Sequence, residues 1–417
     1  MTTSRNIVVA GAGIGGLTAA LALAARGFRV SVFEQSARLE EAGAGIQLSP
    51  NATRVLRDLG VADLLKPSAV VPEALVVRSG ASGRRIVRMP LGAAAEKRYG
   101  APYWMVHRGD LHAALVKAAE ASPDIAITLG GKIEDYAIHR YGLTVQVRRE
   151  TDFAEEHGIA LIGADGLWSA LRARVGNRDA PRFRQRTAWR SLIPAADVPP
   201  PFREPVVQLW LGRNAHLVHY PVRGGSMINV VAIARDFREQ PGWSGAGSQR
   251  DLIARFSRWT WSRHARSLLE FSGAWQTFSL YDMPPLRRWG EGPVTLLGDA
   301  AHPMLPFLAQ GAAMAIEDAA VLARCLAQAP DTIPAALRAY EEARAARTAR
   351  VQQASQRNGA IYHKAGAEAF IRNIGMRVFG GRRLIGRYDW IYDWRGGEAS
   401  GAKASAAVLP HAGREIR

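Results

Sequence analysis

Three glycines near the start of the chain have the spacing of a dinucleotide-binding turn. Gly11, Gly13 and Gly16 follow the apolar run "IVVA" and precede a segment rich in helix formers. In such a turn the first glycine allows a tight bend, the second lets the backbone approach a pyrophosphate, and the third allows close helix–strand packing. Glu34 ends the next strand-like run, where a carboxylate can accept hydrogen bonds from ribose hydroxyls. The segment therefore predicts a nucleotide site, but it does not distinguish NAD from FAD.

The segment "AHLVHYPV" has the alternation of a strand and carries two further candidates for chemistry. Because side chains alternate along a strand, His216, Val218 and Tyr220 share one face, and Leu217 and His219 share the other. An imidazole with an ordinary pKa of about 6.5 can take up a proton at neutral pH. His216 is therefore a candidate base, although a structural histidine is an equally good interpretation. Tyr220, whose ordinary pKa is about 10, is better suited to donate a hydrogen bond or to form a pocket wall.

The composition excludes several classes of protein. The chain has 417 residues, of which 48% are hydrophobic and 22% charged, and it has no apolar run near the roughly 20 residues that cross a bilayer. The single cysteine, Cys325, excludes an intrachain disulfide framework and a multi-cysteine metal site. The net charge is +17, but the basic residues form no long run, which favours a solvated basic surface over nucleic-acid binding. We expect a cytoplasmic protein with no metal, membrane or nucleic-acid partner.

The helix and strand patterns predict a nucleotide-binding domain that is interrupted by an insertion. Buried strand-like runs alternate with helices through residues 1–181, and this pattern returns over 286–335. Between them, residues 182–285 contain strand-like runs separated by short turns, which predicts a mostly antiparallel substrate-domain sheet. Residues 336–395 form a C-terminal helical segment with a long helix, and the small, polar tail 396–417 is expected to be disordered. The predicted fold class is α/β, with a Rossmann-like domain.

Two later motifs complete a pattern of three. "LIGADGLWSALR" contains Asp165, and "VTLLGDAAHPMLPFLAQGAAMAIEDA" contains Asp299 and then Gly311 at the opening of a helix. With the glycine turn, these motifs resemble the three fingerprints of the class A flavoprotein monooxygenases, the single-component aromatic hydroxylases. The resemblance covers residues 6–395 and points to the group of salicylate hydroxylase, 3-hydroxybenzoate 6-hydroxylase and 6-hydroxynicotinate 3-monooxygenase. It implies that the nucleotide is FAD.

The resemblance also implies which residues contact the cofactor. The family uses the equivalent of Asp299 for the ribityl and pyrophosphate part of FAD, and the equivalent of Arg108 for the flavin. The helix that opens at Gly311 would direct N–H groups at the N1–C2=O edge of the flavin. Asp165 is associated with access of the reductant, against the alternative of a strand-end turn residue. The implied FAD-binding residues are Gly11, Gly13, Gly15, Gly16, Glu34, Gln35, Gln47, Arg108, Ile133, Asp165, Asp299, Gly311 and Ala312.

The reaction implied by the resemblance is hydroxylation of a small phenolic aromatic acid through a flavin C4a-hydroperoxide. NADH or NADPH is a transient co-substrate, and O2 supplies the oxygen atom. His216 and Tyr220 are the implied catalytic residues, and salicylate or 3-hydroxybenzoate is the favoured type of substrate. Hydroxylation of a hydroxypyridine carboxylate, and an FAD oxidase or dehydrogenase without oxygen insertion, remain as alternatives. A homodimer is one possible assembly. The implied substrate pocket contains Gln47, Val218, Pro303 and Phe307.

The sequence departs from the family pattern at several positions. Many members carry a glycine and an asparagine where this chain has Ala309 and Ala313. The 6-hydroxynicotinate enzymes carry histidines where this chain has Gln47 and Phe307, which argues against a simple transfer of their substrate and base. A substrate carboxylate needs an arginine or a set of backbone N–H groups. The sequence does not rank the available arginines, which include Arg84, Arg190, Arg223 and Arg235.

Overall fold

The structure is a computed structural model, and it describes residues 5–39, 44–150, 152–240, 244–257, 260–271 and 274–396. Apart from Gly396, the tail that was predicted to be disordered lies outside the described residues. The strands are β1 (Asn6–Ala10), β2 (Arg29–Glu34), β3 (Gly45–Leu48), β4 (Ala74–Ser79), β5 (Arg85–Pro90), β6 (Trp104–His107), β7 (Ile125–Leu129), β8 (Gly131–His139), β9 (Gly142–Arg149), β10 (Asp152–Gly158), β11 (Ala160–Gly163), β12 (Arg182–Pro194), β13 (Val207–Gly212), β14 (Ala215–Val222), β15 (Met227–Arg235), β16 (Gly245–Gly247), β17 (Trp275–Asp282), β18 (Gly290–Glu291) and β19 (Val294–Leu296). The helices are α1 (Ile14–Ala24), α2 (Pro50–Asp58), α3 (Val61–Leu65), α4 (Gly92–Tyr99), α5 (Arg108–Glu120), α6 (Ala170–Arg174), α7 (Gln249–Arg255), α8 (Arg263–Glu270), α9 (Gly311–Gln328), α10 (Ile333–Tyr362), α11 (Gly366–Gly386) and α12 (Asp389–Tyr392).

A six-stranded sheet forms the nucleotide-binding part of the fold. Its strand order is β18-β19-β11-β1-β2-β7, and all of its pairs are parallel except β18 with β19. The strands β1, β11 and β19 are buried along their whole length, as expected for short apolar runs in a sheet covered on both faces. Because parallel strands end at one edge, the glycine turn, Glu34 and Asp165 lie at the same edge of this sheet.

An eight-stranded sheet forms the second layer, with the order β16-β17-β12-β15-β14-β13-β4-β5. Most of its strands come from the predicted insertion, residues 182–285, and most of its pairs are antiparallel. The strands β4 and β5 come instead from residues 74–90, within the range assigned to the first part of the nucleotide-binding domain, and β4 pairs in parallel with β13. The domain boundary at residue 182 therefore does not coincide with the division between the two sheets.

The two faces of the eight-stranded sheet have different partners. One face packs against α7 and α8 in a hydrophobic core that includes Trp210, Leu217 and Leu268. The helices α7 and α8 each begin after a serine, Ser248 or Ser262, whose hydroxyl accepts a hydrogen bond from the backbone N–H three residues later. The opposite face is turned toward the six-stranded sheet and the C-terminal helices, and this face carries the candidate site.

The C-terminal helices cover the junction of the two layers. The predicted long helix is α10, which has 30 residues and packs along α9. A fully buried ion-pair cluster joins these two helices, because Arg344 binds Glu317 at 2.7 Å and Asp318 at 2.6 Å. The helix α11 then packs over β5. No helix in the described part of the chain combines the length and the hydropathy needed to span a membrane.

Candidate active site

A cavity of about 800 Å³ lies between the edge of the six-stranded sheet and the inner face of the eight-stranded sheet. His216, Val218 and Tyr220 line it from the substrate side, as does Pro303. The predicted cofactor residues that line it are Gly11, Gly13, Gly15, Glu34, Gln35, Gln47, Arg108, Ile133, Asp165, Asp299, Gly311 and Ala312. Gly16 does not line the cavity, because it packs against the Gly11 carbonyl group, which a Cβ at this position would overlap.

The glycines of the turn serve two different purposes. Gly11 has a φ of +102°, and a Cβ there would collide with the backbone of Ala164, so the fold itself needs this glycine. Gly13 has an ordinary φ of −72°, and nothing lies within 4 Å of where its Cβ would be. Because Gly13 faces the cavity at the start of α1, the open space beside it fits the pyrophosphate of a dinucleotide.

Glu34 is held at the edge of the cavity by two backbone groups. Its Oε2 accepts a hydrogen bond from the Ala12 N–H at 2.9 Å, and its Oε1 accepts one from the Ser36 N–H at 2.9 Å. Each carboxylate oxygen can accept more than one hydrogen bond. The position and the remaining acceptor capacity of Glu34 therefore fit the hydroxyls of a ribose.

Two aspartates face the cavity from the central strands. Asp165 accepts a hydrogen bond from the Leu171 N–H at 3.2 Å, while its other oxygen is buried and has no partner among the described residues. Burial raises the pKa of Asp165, whereas the side chain of Asp299 is exposed to the cavity. A buried carboxylate oxygen with no partner is costly unless a ligand donates to it. These two carboxylates therefore fit the hydroxyls of a ribityl chain. Asp165 also lies in the turn after β11, as the alternative interpretation of a strand-end turn residue predicts.

The N-terminus of α9 points at the same cavity. Gly311 and Ala312 open this helix of 18 residues and line the cavity, so its free N–H groups and partial positive charge face the site. Ala309 ends the short helical turn before it with a φ of +52°, a left-handed conformation in which glycine is unstrained. Alanine therefore holds a backbone conformation here for which glycine is the better suited residue.

Arg190 is the candidate arginine that reaches the cavity. It lies on β12 with its guanidinium 4.9 Å from the centre of the Phe278 ring, and no acidic partner is found within the described ranges. Its Nε is buried without a hydrogen bond, and burial lowers its pKa. Arg223 is instead bound to Asp110 at 3.1 Å. The two remaining candidates are exposed and line neither this cavity nor its neighbour, namely Arg84 and Arg235.

His216 sits in a box of aromatic side chains. The ring centres of Phe307 and Tyr362 lie 5.5 Å and 5.4 Å from that of His216, and the Nδ1 of His216 lies 2.8 Å from the Nε2 of His363. Burial, with a smaller effect of Arg186, lowers the pKa of His216 to about 3. The imidazole is therefore neutral at physiological pH in the free protein, and a pKa this low makes it a weak base until the negative charge of a phenolate beside it raises the pKa.

A second cavity of about 730 Å³ adjoins the first. It has mostly apolar walls from β4, β5, β13 and α11. Gln47, His216 and Val218 border both cavities, whereas Phe307 borders only this second one. Tyr103 donates a hydrogen bond to the Gln47 Oε1 at 2.8 Å, so the side chain of Gln47 is fixed between the two cavities. Of the four residues predicted for the substrate pocket, three therefore line the first cavity and Phe307 supports His216 from the side.

Neither His363 nor Tyr103 is indicated by a sequence pattern, and no pattern distinguishes Arg190 from the other arginines. No pattern in the sequence connects His363 with His216, because the two residues are 147 positions apart and meet only where the end of α10 reaches β14. His302 is close to Asp299 in sequence, but its ring is hydrogen-bonded to Asp318 at 2.6 Å and does not line the cavity. Within the described part of the chain, no group of acidic, histidine or cysteine side chains could hold a metal ion.

The dinucleotide turn, the cavity and the second sheet that closes it define a flavoprotein with a substrate layer over its cofactor site. The family described as FAD binding domain matches residues 4–355, and the chain belongs to that family. FAD as the cofactor, which the sequence predicted, is thereby confirmed.

Comparison with known proteins narrows the class further. The chain is 38% identical over 388 residues to 3-hydroxybenzoate 6-hydroxylase 1 of Aquipseudomonas alcaligenes, covering 93% of this chain and 96% of the relative. It is 35% identical over 370 residues to 6-hydroxynicotinate 3-monooxygenase of Pseudomonas fluorescens, covering 86% and 92%. The solved structure of a salicylate hydroxylase substrate complex has a TM-score of 0.78 and 25% identity, over 95% of this chain and 97% of that one. The predicted resemblance, the α/β fold with its long C-terminal helix, and the class of FAD-dependent aromatic monooxygenase are confirmed.

Proposed function

We propose that this monooxygenase hydroxylates a benzoate whose phenolic hydroxyl is separated from its carboxylate, as in 3-hydroxybenzoate, using NADH or NADPH and O2. The observation that carries the proposal is the position of Arg190 and His216 on one face of the eight-stranded sheet, both lining the cofactor cavity. Arg190 is a cation without an acidic partner among the described residues, and His216 is a neutral imidazole. Together they match a carboxylate and a phenol.

The spacing of these two groups favours the 3-hydroxy over the 2-hydroxy arrangement. Arg190 pairs with Val231 across β12 and β15, and Val231 pairs with Val218 on β14, one strand further. Strands are about 4.8 Å apart, so the backbones of Arg190 and Val218 are about 10 Å apart, and His216 lies two residues further along β14. In salicylate the hydroxyl and the carboxylate are adjacent and bond to each other. A substrate with separated groups makes better use of two separated partners.

The residues beside His216 favour a benzene ring over a pyridine ring. A pyridine nitrogen, or the N–H of its tautomer, needs a hydrogen-bond partner when it is buried. Phe307 offers none, whereas Gln47 offers an amide group whose oxygen also accepts from Tyr103. The histidines of the 6-hydroxynicotinate enzymes at the positions of Gln47 and Phe307 are absent here, which supports a hydroxybenzoate over a hydroxypyridine carboxylate.

The proposal gives each residue a task. Arg190 binds the carboxylate through its planar fork, which suits two parallel hydrogen bonds. His216 takes the proton of the phenol or holds it in a hydrogen bond, which makes the ring electron-rich. Tyr220 is buried on the same strand face, where its hydroxyl donates to the substrate, since burial raises the pKa of Tyr220 well above the ordinary value. A bound FAD, held by the glycine turn and Glu34, would take electrons from NADH or NADPH and activate O2, from which the inserted oxygen atom comes. The apolar side chains of Val218, Val231 and Ile233 keep water from the ring.

A substrate screen tests the proposal. The FAD-loaded protein is mixed with 2-, 3- and 4-hydroxybenzoate and with 6-hydroxynicotinate, and NADH or NADPH oxidation is followed together with product mass under ¹⁸O2. We expect 3-hydroxybenzoate to stimulate oxidation most strongly and to gain one labelled oxygen atom. Hydrogen peroxide as the only oxygen product with every compound would instead support the FAD oxidase alternative. The proposal also assigns the protein to the cytoplasm, with a homodimer as the assembly to be tested by light scattering.

A further inference from the structure

A second histidine lies directly behind the candidate base. The Nδ1 of His216 and the Nε2 of His363 are 2.8 Å apart, and both side chains are buried, at 2% and 7% exposure. His363 lies immediately after the last residue of α10, so the long C-terminal helix brings it to β14. Among the described residues, the other ring nitrogen of His363, Nδ1, is buried and has no partner.

A hydrogen bond between two neutral imidazoles determines what each remaining nitrogen can do. One of the two facing nitrogens carries the proton and the other accepts it. If Nδ1 of His216 carries the proton, Nε2 of His216 is bare and can accept the proton of a phenol, and the proton of neutral His363 then lies on its buried Nδ1. If Nε2 of His363 carries it, Nε2 of His216 is itself protonated and can only donate. The partner of Nδ1 therefore decides whether His216 acts as an acceptor at Nε2.

The surroundings of the pair keep it neutral before the substrate binds. Burial lowers the pKa of both histidines, and the cationic side chains that contribute are Arg186 for both rings and Arg372 for His363. Two further neighbours of His216 are the uncharged rings of Phe307 and Tyr362. Because Arg372 acts on His363, a proton taken from a phenol is better held on His216, next to the phenolate, than passed on to His363.

We propose that His363 is a positioning residue for His216, accepting the Nδ1–H of His216 so that the bare Nε2 is presented to the substrate hydroxyl. This inference rests on the proposed function, in which His216 receives the phenol proton. It assigns to the end of α10 a role in the chemistry that follows from neither the glycine turn nor the strand pattern. A residue that fixes the tautomer of a histidine base has a large effect on proton transfer without touching the substrate.

The experiment compares three substitutions in the FAD-loaded protein with 3-hydroxybenzoate. His363→Phe fills the site without a hydrogen bond, and His363→Gln keeps an amide oxygen that can accept from Nδ1. His219→Phe is the matched control, because His219 is a buried histidine on the opposite face of β14, bonded to the Nε1 of Trp210 at 3.2 Å. Ionisation of the bound phenol is read from its ultraviolet difference spectrum between pH 5 and 10, alongside kcat and KM. Flavin absorbance gives the FAD content of each variant.

We expect His363→Phe to raise the pH at which the bound phenol ionises by about one unit, and to lower kcat about tenfold at pH 7, with KM changed much less. His363→Gln should recover most of the loss, and the control should match the parent protein. A wild-type ionisation curve and kcat in His363→Phe would overturn the inference. If His216→Phe also leaves both unchanged, the base assigned in the proposed function is wrong as well. If only His216→Phe has an effect, the proposed function stands and the inference alone fails.

A measurement on the unsubstituted protein reads the protonated nitrogen directly, and a variant is needed only to assign the signals. Long-range ¹H–¹⁵N spectra of imidazole-labelled protein report which nitrogen of each histidine is protonated, and loss of a signal set in His216→Phe identifies His216. We expect His216 with a proton on Nδ1 and none on Nε2. A proton on Nε2 alone, with a bare Nδ1, would overturn the inference.

Discussion

Substitution of Arg190 by methionine should weaken binding of the substrate without lowering the stability of the free protein. The guanidinium lies in the cavity without an acidic partner among the described residues, and its Nε is buried and unpaired. Methionine has a similar length and no charge, so the substitution removes the cation while the wall of the cavity is kept. Arg190→Lys keeps the charge but loses the planar fork.

The expected loss of binding follows from the two hydrogen bonds that the fork can make to a carboxylate. A net contribution of about 1.5–3 kcal/mol for each hydrogen bond to a charged group gives about 3–4 kcal/mol for the pair, allowing for non-additivity. Each 1.4 kcal/mol is about tenfold, so the dissociation constant of 3-hydroxybenzoate should rise at least about 100-fold. The free protein should become slightly more stable to unfolding, or stay as stable, because a half-buried cation with an unpaired Nε is removed.

The assay is a titration of each FAD-loaded variant with 3-hydroxybenzoate and with phenol, followed by the change in flavin absorbance, together with urea unfolding. Phenol lacks the carboxylate, so its weak binding should not change in Arg190→Met, and Arg190→Lys should be intermediate for the benzoate. Arg235→Met is the control, because Arg235 is exposed and lines neither cavity. Binding of 3-hydroxybenzoate to Arg190→Met within threefold of the parent protein would refute the assignment of Arg190 as the carboxylate site.

Three further predictions concern the cofactor turn, the loop before α9 and the buried histidines. Gly13→Ala should fold normally but bind FAD at least about tenfold more weakly, because its methyl group enters the open space of the turn. Gly375→Ala is the control, because a Cβ there also meets no neighbouring atom, and this variant should keep its FAD affinity. Equal FAD affinity in the two variants would contradict the prediction. Ala309→Gly relieves a left-handed conformation, so the unfolding free energy should rise by up to about 1 kcal/mol, and a clear fall in urea unfolding would contradict the strain. Burial lowers the pKa of His216 and of His219 to about 3. Below about pH 6.5 the unfolded chain therefore binds more protons than the folded one. The unfolding free energy should fall with acidification, by about 1 kcal/mol per pH unit for each histidine. His219→Phe should reduce that slope, and an unchanged slope between pH 6 and 4.5 would refute it.

The cofactor side of the site was largely predictable because its residues follow their strands directly. The glycine turn lies between β1 and α1, and Glu34 and Asp165 come at the ends of β2 and just beyond β11. Parallel strands end at one edge, so short local patterns were enough to bring these residues together. The alternation of β14 was predictable for the same reason, since His216, Val218 and Tyr220 all face the cavity.

The substrate side was less predictable because strand pairing and helix length decide it. Nothing local shows that Arg190 is two strands from His216, or that β4 joins the substrate sheet by pairing with β13. Ala309 shows a different difficulty: the departure from glycine was evident in the sequence, but only the backbone shows that this alanine has a left-handed conformation. In each case the missing information was a long-range contact or a backbone angle, and no residue pattern encodes either.

The long C-terminal helix connects these two sides of the site. It is anchored on α9 by Arg344 at the buried acids Glu317 and Asp318, and α9 is the helix whose N-terminus faces the cofactor cavity. Further along the same helix, Gly359 lies so close to Phe307 that a Cβ would meet its ring at 2.5 Å, and four residues later the chain reaches His363. A change in the packing of α9 against α10 would therefore move the helix end at the flavin edge and the histidine pair at the substrate together. We infer that the two helices keep the cofactor and the candidate base in fixed relative positions, which proton transfer beside a flavin requires.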